Sequence, residues 1–237
     1  MIVYIGNAVC DENGKARGGQ PGNQTGKELR IQPYYENKKG WVILRAFSNE
    51  VAEKLAYDMT AACENMAIGY NQSRRNTLFT AARPFGFDCA KVETPCECDC
   101  SSLVRVCLAY AGITVRDFNT SSELARLMAT GAFQEVEGEL CTGDILVTKT
   151  KGHTCIVTKG NPRTKTTHKY VKVVGGSVRV REGNGTSYPS IGIVHRGDEF
   201  PFVEQEEREP YWYKILYGAK DGYISCNERY TKVIDKW

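Results

Sequence analysis

The sequence predicts an α+β domain followed by a small all-β barrel. Three observations carry this reading. Helix signals come early and an antiparallel hairpin later in the first 160 or so residues. A polar break, KGNPRTKTTHKY at 159–170, follows them. Beyond it, five short strand signals crowd into about 60 residues. A chain of 237 residues accommodates two such domains, expected at 1–165 and 171–237. With 41% hydrophobic and 25% charged residues it is neither disordered nor membrane-spanning, and no run approaches the roughly 18 apolar residues of a transmembrane helix. Lys and Arg number 31 against 28 Asp and Glu, with both signs mixed along the chain. A nucleic-acid binder would gather its basic residues on one stripe, so neither nucleic acid nor membrane is an expected partner.

The opening segment, GNAVCDENGKARGGQPGNQTGKE, is rich in Gly, Asn and Gln and reads mostly as loop. WVILRAF at 41–47 reads as a strand. Ser48 or Asn49 then caps a helix in which Val51, Leu55, Met59 and Met66 recur at steps of four or seven. A second helix begins at Asp99, with Leu103, Val104, Cys107, Leu108 and Ala111 facing inward and Gly112 as its stop. Thr120 and Glu123 form a capping box for a third helix that runs through Met128. GDILVTKTKGHTCIVTKG at 143–160 is a hairpin about the loop KTKG. In the second domain SVRVRE, IGIV, DEFPFVEQ, YWYKILY and DGYIS are strands separated by Gly, Asp and Pro.

Ten cysteines and three histidines narrow the search for chemistry. In CECDCSSLVRVCLAYAGI, residues 96–113, Asp99 is placed as N-cap and Cys100 as the first helical residue. There the unpaired N–H groups and the positive end of the helix dipole favour a thiolate. The Asp99 charge works against this, so an imidazole is needed as proton acceptor and counter-charge. His153, at the start of a strand about 50 residues on, is the partner expected for a helix-start cysteine. A lone histidine is otherwise an ordinary hydrogen-bonded residue, the reading kept for His168 in the linker and His195 in the barrel.

DCSSLVRVCLAYAG resembles the nucleophile helix of the NlpC-like cysteine peptidases, papain-related enzymes that cut bacterial cell-wall peptides. GDILVTKTKGHTCIV is similar to their Gly-Asp strand followed by the histidine strand. GNQTGKE and IGYNQSRRNTL resemble segments of phage and prophage lysins of that superfamily, which includes the CHAP amidases. VVGGSVRVREGNGTSYPSIG and WYKILYGAKDGYIS resemble bacterial SH3-like cell-wall-binding domains. The resemblance implies an α+β papain-like catalytic domain followed by an SH3-like barrel, a peptidoglycan hydrolase of the endolysin type. It makes Cys100 the nucleophile and His153 the base. It also calls for a third polar residue on the strand after the histidine. Asn161 is the nearest candidate, in a Gly160-Asn161-Pro162 segment that reads equally as a turn. The family's upstream oxyanion tyrosine falls at Tyr70, beside the N–H of Cys100 itself. The implied partner is the peptidoglycan of a Gram-positive wall, and no cofactor is implied. Tyr188 and Trp212 are the candidates for wall binding by the barrel, although alternation in YWYKILY assigns about half of its aromatics to the core.

Rival readings use the same residues. Cys89, Cys96, Cys98 and Cys100 could surround zinc in a wall-binding adaptor, although C-x-C-x-C lacks the usual C-x2-C knuckles. Cys96 or Cys98 could close a disulfide onto Cys100 under oxidation. An acyltransferase or transpeptidase would use the same Cys–His pair with an amine in place of water. MIVYIGNAVCDENGK has no basic start followed by an apolar core, so a secretion signal is not expected. The expected location is synthesis in the bacterial cytoplasm and action at the wall after release.

Overall fold

Strands form at both edges of the segment read as loop, β1 (Tyr4–Ala8) and β2 (Leu29–Pro33), antiparallel to each other. The Gly- and Asn-rich residues between them hold only turns and an isolated bridge from Gly18 to Asn71. Composition misled at these edges because tertiary pairing, which local composition does not report, makes the strands. The computed structural model describes residues 2–163, 168–205 and 211–236. It divides into one unit of Met1–Met128 with Ala132–Arg163 and another of Ala129–Gly131 with Thr164–Trp237.

In the first unit β3 (Trp41–Ala46) leads into α1 (Asn49–Glu64), capped by Ser48, whose hydroxyl accepts from the Val51 N–H at 3.4 Å. Ala52, Leu55, Ala56, Met59 and Ala62 are its buried stripe, at the three- and four-residue spacing of one helical face. Met66, assigned to that stripe from the sequence, lies past the helix end and is exposed. Asn65 ends α1 by leaving helical geometry, and its amide donates to the carbonyls of Cys89 and Val92. A short parallel pair, β4 (Ile68–Tyr70) and β5 (Cys96–Cys98), brackets α2 (Thr77–Ala82). α3 (Cys100–Tyr110), α4 (Glu123–Met128) and the strands β6 (Phe133–Val136), β7 (Ile145–Thr148) and β8 (Thr154–Lys159) complete the unit.

Six strands form one antiparallel sheet in the order β2-β1-β8-β7-β3-β6. The predicted hairpin is β7–β8, in register from Ile145 opposite Ile156 to Val147 opposite Thr154. α1 and α3 pack on one face, where Leu44, Ile145, Val147 and Ile156 meet Leu55, Met59, Leu103, Val104 and Leu108. Ile5, Leu146, Cys155 and Val157 fill the other face. Each fully buried aliphatic side chain contributes about 1.5–3 kcal/mol. On β1, a methyl group at Gly6 would stand 2.5 Å from Met59 Cγ, so glycine there lets α1 lie close against the strand. No helix among the described residues is long and apolar enough to cross a membrane.

One polar group lies deep in this core. Asp58 of α1 accepts from the Cys89 N–H at 2.8 Å and the Cys89 thiol at 3.3 Å, and is fully buried. Burial pushes its carboxyl up to about 7, against the bonds from Cys89. A carboxyl with a raised folded pKa costs nothing while both states are protonated. Above its ordinary value near 4 the unfolded chain ionises and the folded one does not, so stability falls until pH reaches about 7. Asp58→Asn is therefore expected to flatten a decline on the order of 3–4 kcal/mol between pH 4 and 7. Urea midpoints of both proteins at the two pH values check this, and parallel declines would refute it.

The second unit contains seven strands among the described residues, two more than predicted. They are β9 (His168–Val173), β10 (Ser177–Arg181), β11 (Ser190–His195), β12 (Glu199–Gln205), β13 (Trp212–Tyr217), β14 (Lys220–Ser225) and β15 (Thr231–Lys236). They pair antiparallel in the order β11-β10-β14-β13-β12-β9-β15. Val178 and Val180 point inward from β10 as the alternation required, joining Val171, Val173, Val194, Ile215 and Ile224. The segment read as linker is eroded from both sides, since β8 takes Lys159 and β9 begins at His168. Its middle, 164–167, lies outside the described residues. The chain is thus an α+β region followed by an all-β one.

Candidate active site

The start of α3 is fixed by a reciprocal cap. Asp99 Oδ1 accepts from the Ser102 N–H at 2.7 Å, and Ser102 Oγ accepts from the Asp99 N–H at 2.9 Å. Arg75 holds the other side of the cap, Nη1 donating to Asp99 Oδ2 at 2.9 Å and to Ser101 Oγ at 3.0 Å. Its Nη2 bonds Asp117 Oδ1 at 2.6 Å and the Phe118 carbonyl. Cys100 is therefore the first helical residue, half-buried, with its sulfur facing the backbone N–H groups of Ser101 and of Thr154 on β8. Thr154 directly follows His153, so the start of α3 lies against the beginning of the strand that His153 precedes.

His153 is oriented from β1. Its Nε2 lies 2.9 Å from Asn7 Oδ1, and the Asn7 amide nitrogen donates to the Arg30 carbonyl at 3.2 Å. With the amide nitrogen engaged by a carbonyl, the oxygen must face the ring, so Nε2 carries the hydrogen. Nδ1 is then the basic nitrogen. Trp41 flanks the imidazole at 6.3 Å between ring centroids, and Tyr35 meets Trp41 edge-on at 5.9 Å. The Trp41 indole N–H donates to the Tyr35 carbonyl at 3.0 Å, fixing that aromatic wall.

Burial dominates the electrostatics. It pushes the Cys100 thiol up to about 12, reinforced by the Asp99 charge and by Glu123 when ionised, and opposed by the Thr154 and Ser101 N–H groups. Burial, with the Arg30 charge, lowers the His153 imidazole to about 4, against the pull of Asp99. The resting pair is a neutral thiol and a neutral imidazole. Nucleophile formation then requires the proton to leave sulfur as attack proceeds.

A capped helix-start cysteine and, just before β8, a histidine held by an amide are residue types that acyl-transfer enzymes use. A family model described as an endolysin-like domain matches residues 5–164, and one described as a bacterial SH3 domain matches residues 176–231. The chain belongs to the endolysin-like domain family. No curated relative matches it. The pairing gives this endolysin-like protein a cell-wall hydrolase-like role, with the SH3 domain as its wall-binding module.

Within the endolysin-like domain, one expectation and one rival reading need correction. Asn161 does not orient His153. It lies eight residues further on, about 26 Å along an extended strand, beyond the opposite end of β8. There its N–H bonds the Leu140 carbonyl and its carbonyl accepts from Thr142, in a bridge with Cys141. The amide on the imidazole comes from β8's other neighbour, and the sequence signal for it was one polar residue inside YIGNA. The four cysteines of the zinc reading diverge as well. Cys89 engages Asp58, the Cys98 thiol donates to the Gly69 carbonyl at 3.7 Å, and Cys100 faces β8. Among the described residues no three or more His, Cys, Asp or Glu side chains converge to hold a metal, and all ten cysteines are free thiols.

Tyr70, at the end of β4, is buried, with its hydroxyl accepting from Gln72 Nε2 at 3.2 Å. Burial raises it beyond the usual phenol range, against the bond from Gln72. In the SH3 domain, Trp212 is almost fully buried but forms part of the lining of a hollow of about 510 Å³ with Arg179, Arg181, Ile193 and Tyr230. Tyr188 is exposed and covers Gly183, where an added methyl would meet its ring at 2.5 Å.

Proposed function

We propose that this protein is a cysteine-dependent peptidoglycan amidohydrolase, with Cys100 as nucleophile, His153 as base and Asn7 as the group that holds the imidazole. The observation that carries the reading is the Asn7–His153 bond formed where the Thr154 N–H meets the Cys100 sulfur. As Cys100 attacks an amide carbonyl, His153 Nδ1 takes the thiol proton. The oxyanion is received by the Cys100 N–H, a helix-start donor with no partner inside the helix. The intermediate collapses as the imidazolium gives its proton to the leaving nitrogen and the C–N bond breaks. Water, deprotonated by His153, then cleaves the thioester and returns the thiol.

The substrate is an amide of the wall's peptide portion, within the stem or at its link to muramic acid, in a Gram-positive wall. Mass spectrometry of soluble fragments tests this and names the bond. A new amine and a new carboxylate support hydrolysis. Fragments joined to an added amine would indicate transfer, and fragments whose amides are all intact would overturn the reading. Deletion of residues 171–237 is expected to weaken wall binding by about 10²-fold or more, with much less effect on a small soluble substrate, because tethering acts through effective concentration. Pelleting with purified walls, run beside a soluble peptide assay, reads both.

A further inference from the structure

Thr120 and Glu123 have the spacing of a capping box, yet the structure sends both side chains elsewhere. Asn119 makes the turn before α4, its Oδ1 accepting from the Ser121 N–H at 3.0 Å. Thr120 Oγ1 instead accepts from the Gly152 N–H at 3.0 Å, and Glu123 Oε1 from the Thr154 hydroxyl at 2.7 Å. These bonds fall on the two residues that flank His153. Glu123 and Thr154 are both fully buried, and Glu123 Oε2 has no hydrogen-bond partner among the described residues. A carboxylate spent on a distant threonine, with one oxygen left dry, is not explained by α4 itself.

We propose that Thr120 and Glu123 form a two-point clamp that positions His153 and holds the Thr154 N–H against the Cys100 sulfur. The proposal rests on the Cys–His reading above. Glu123 works in its neutral form, because an ionised carboxylate with a buried, unpaired oxygen is costly. It faces Asp99 and Cys100 from α3, Arg75 from the loop after β4, and Cys155 from β8, with His153 one residue from its threonine. Burial and Asp99 raise its carboxyl to about 8, while Thr154 and Arg75 favour the charge. Above that pH a second negative charge joins Asp99 beside the sulfur and opposes thiolate formation.

The test is the pH dependence of Cys100 alkylation by iodoacetamide in the full chain, read on the Cys100 peptide by mass spectrometry, with circular dichroism to confirm folding. The Glu123→Gln to wild-type rate ratio is expected to rise about 3–10-fold between pH 6.5 and 9.5, because the amide cannot ionise. Thr154→Val is expected to slow the reaction by about 3–10-fold and Thr154→Ser to restore it, since only serine keeps the hydroxyl for Glu123. A flat Glu123→Gln ratio, or valine and serine variants of equal reactivity, would overturn the clamp. Wall lysis that survives in Cys100→Ala would defeat the hydrolase reading instead, and the alkylation comparison, which reads the thiol alone, would stand.

Discussion

Cys100→Ala and His153→Ala are each expected to abolish the loss of turbidity in wall suspensions, by at least about 10³-fold, while leaving wall binding unchanged. The two losses should be similar in size, because thiol and imidazole act as one unit. Without the base, a thiol raised to about 12 supplies almost no thiolate at neutral pH. Without the sulfur, nothing is left for the imidazole to activate. Binding survives because the wall-binding module has its own core of Val171, Val180, Ile215 and Ile224. Lysis within tenfold of wild type in either variant would remove the thioester mechanism (about 1.4 kcal/mol of barrier).

Asn7→Ala should reduce kcat by about 10²-fold with KM little changed, because the imidazole loses the partner that fixes its tautomer. Asn7→Asp separates orientation from mere structure. A carboxylate still accepts from Nε2–H, so most of the rate at pH 7 should return. Its charge also favours imidazolium, which raises the His153 pKa above about 4 and moves the acid limb of the pH profile upward. Lysis at pH 5 should therefore fall, relative to pH 7, more in Asn7→Asp than in wild type. An aspartate variant no better than the alanine one, with an unmoved acid limb, would assign Asn7 to packing.

The helix that Cys100 opens was readable because its information is local. Asp99, Cys100 and Ser102 declare a helix start within four residues, and Leu103, Val104, Cys107 and Leu108 keep one buried face. The histidine strand was readable from two apolar runs about a short polar loop. What escaped was set by pairing between distant segments. β1 is short and interrupted by Gly and Asn and β2 is only five residues, and the pairing of β1 with both β8 and β2 is what makes them strands. Asn7 escaped with them, and Asn161 was chosen because it follows the histidine in sequence rather than in space. The capping box shows the complementary failure. Thr120 and Glu123 satisfied a local rule, but the Gly152 N–H and the buried Thr154 hydroxyl on either side of His153 took their side chains instead.

The amide that steadies the imidazole sits 146 positions before it. The reactive centre is thus sealed by the first segment of the chain meeting one of the last in its domain, a long-range closure that belongs to the late stages of folding. On the proposed mechanism, a copy in which β1 has yet to pair with β8 would carry the Cys100 thiol without the amide that holds the imidazole.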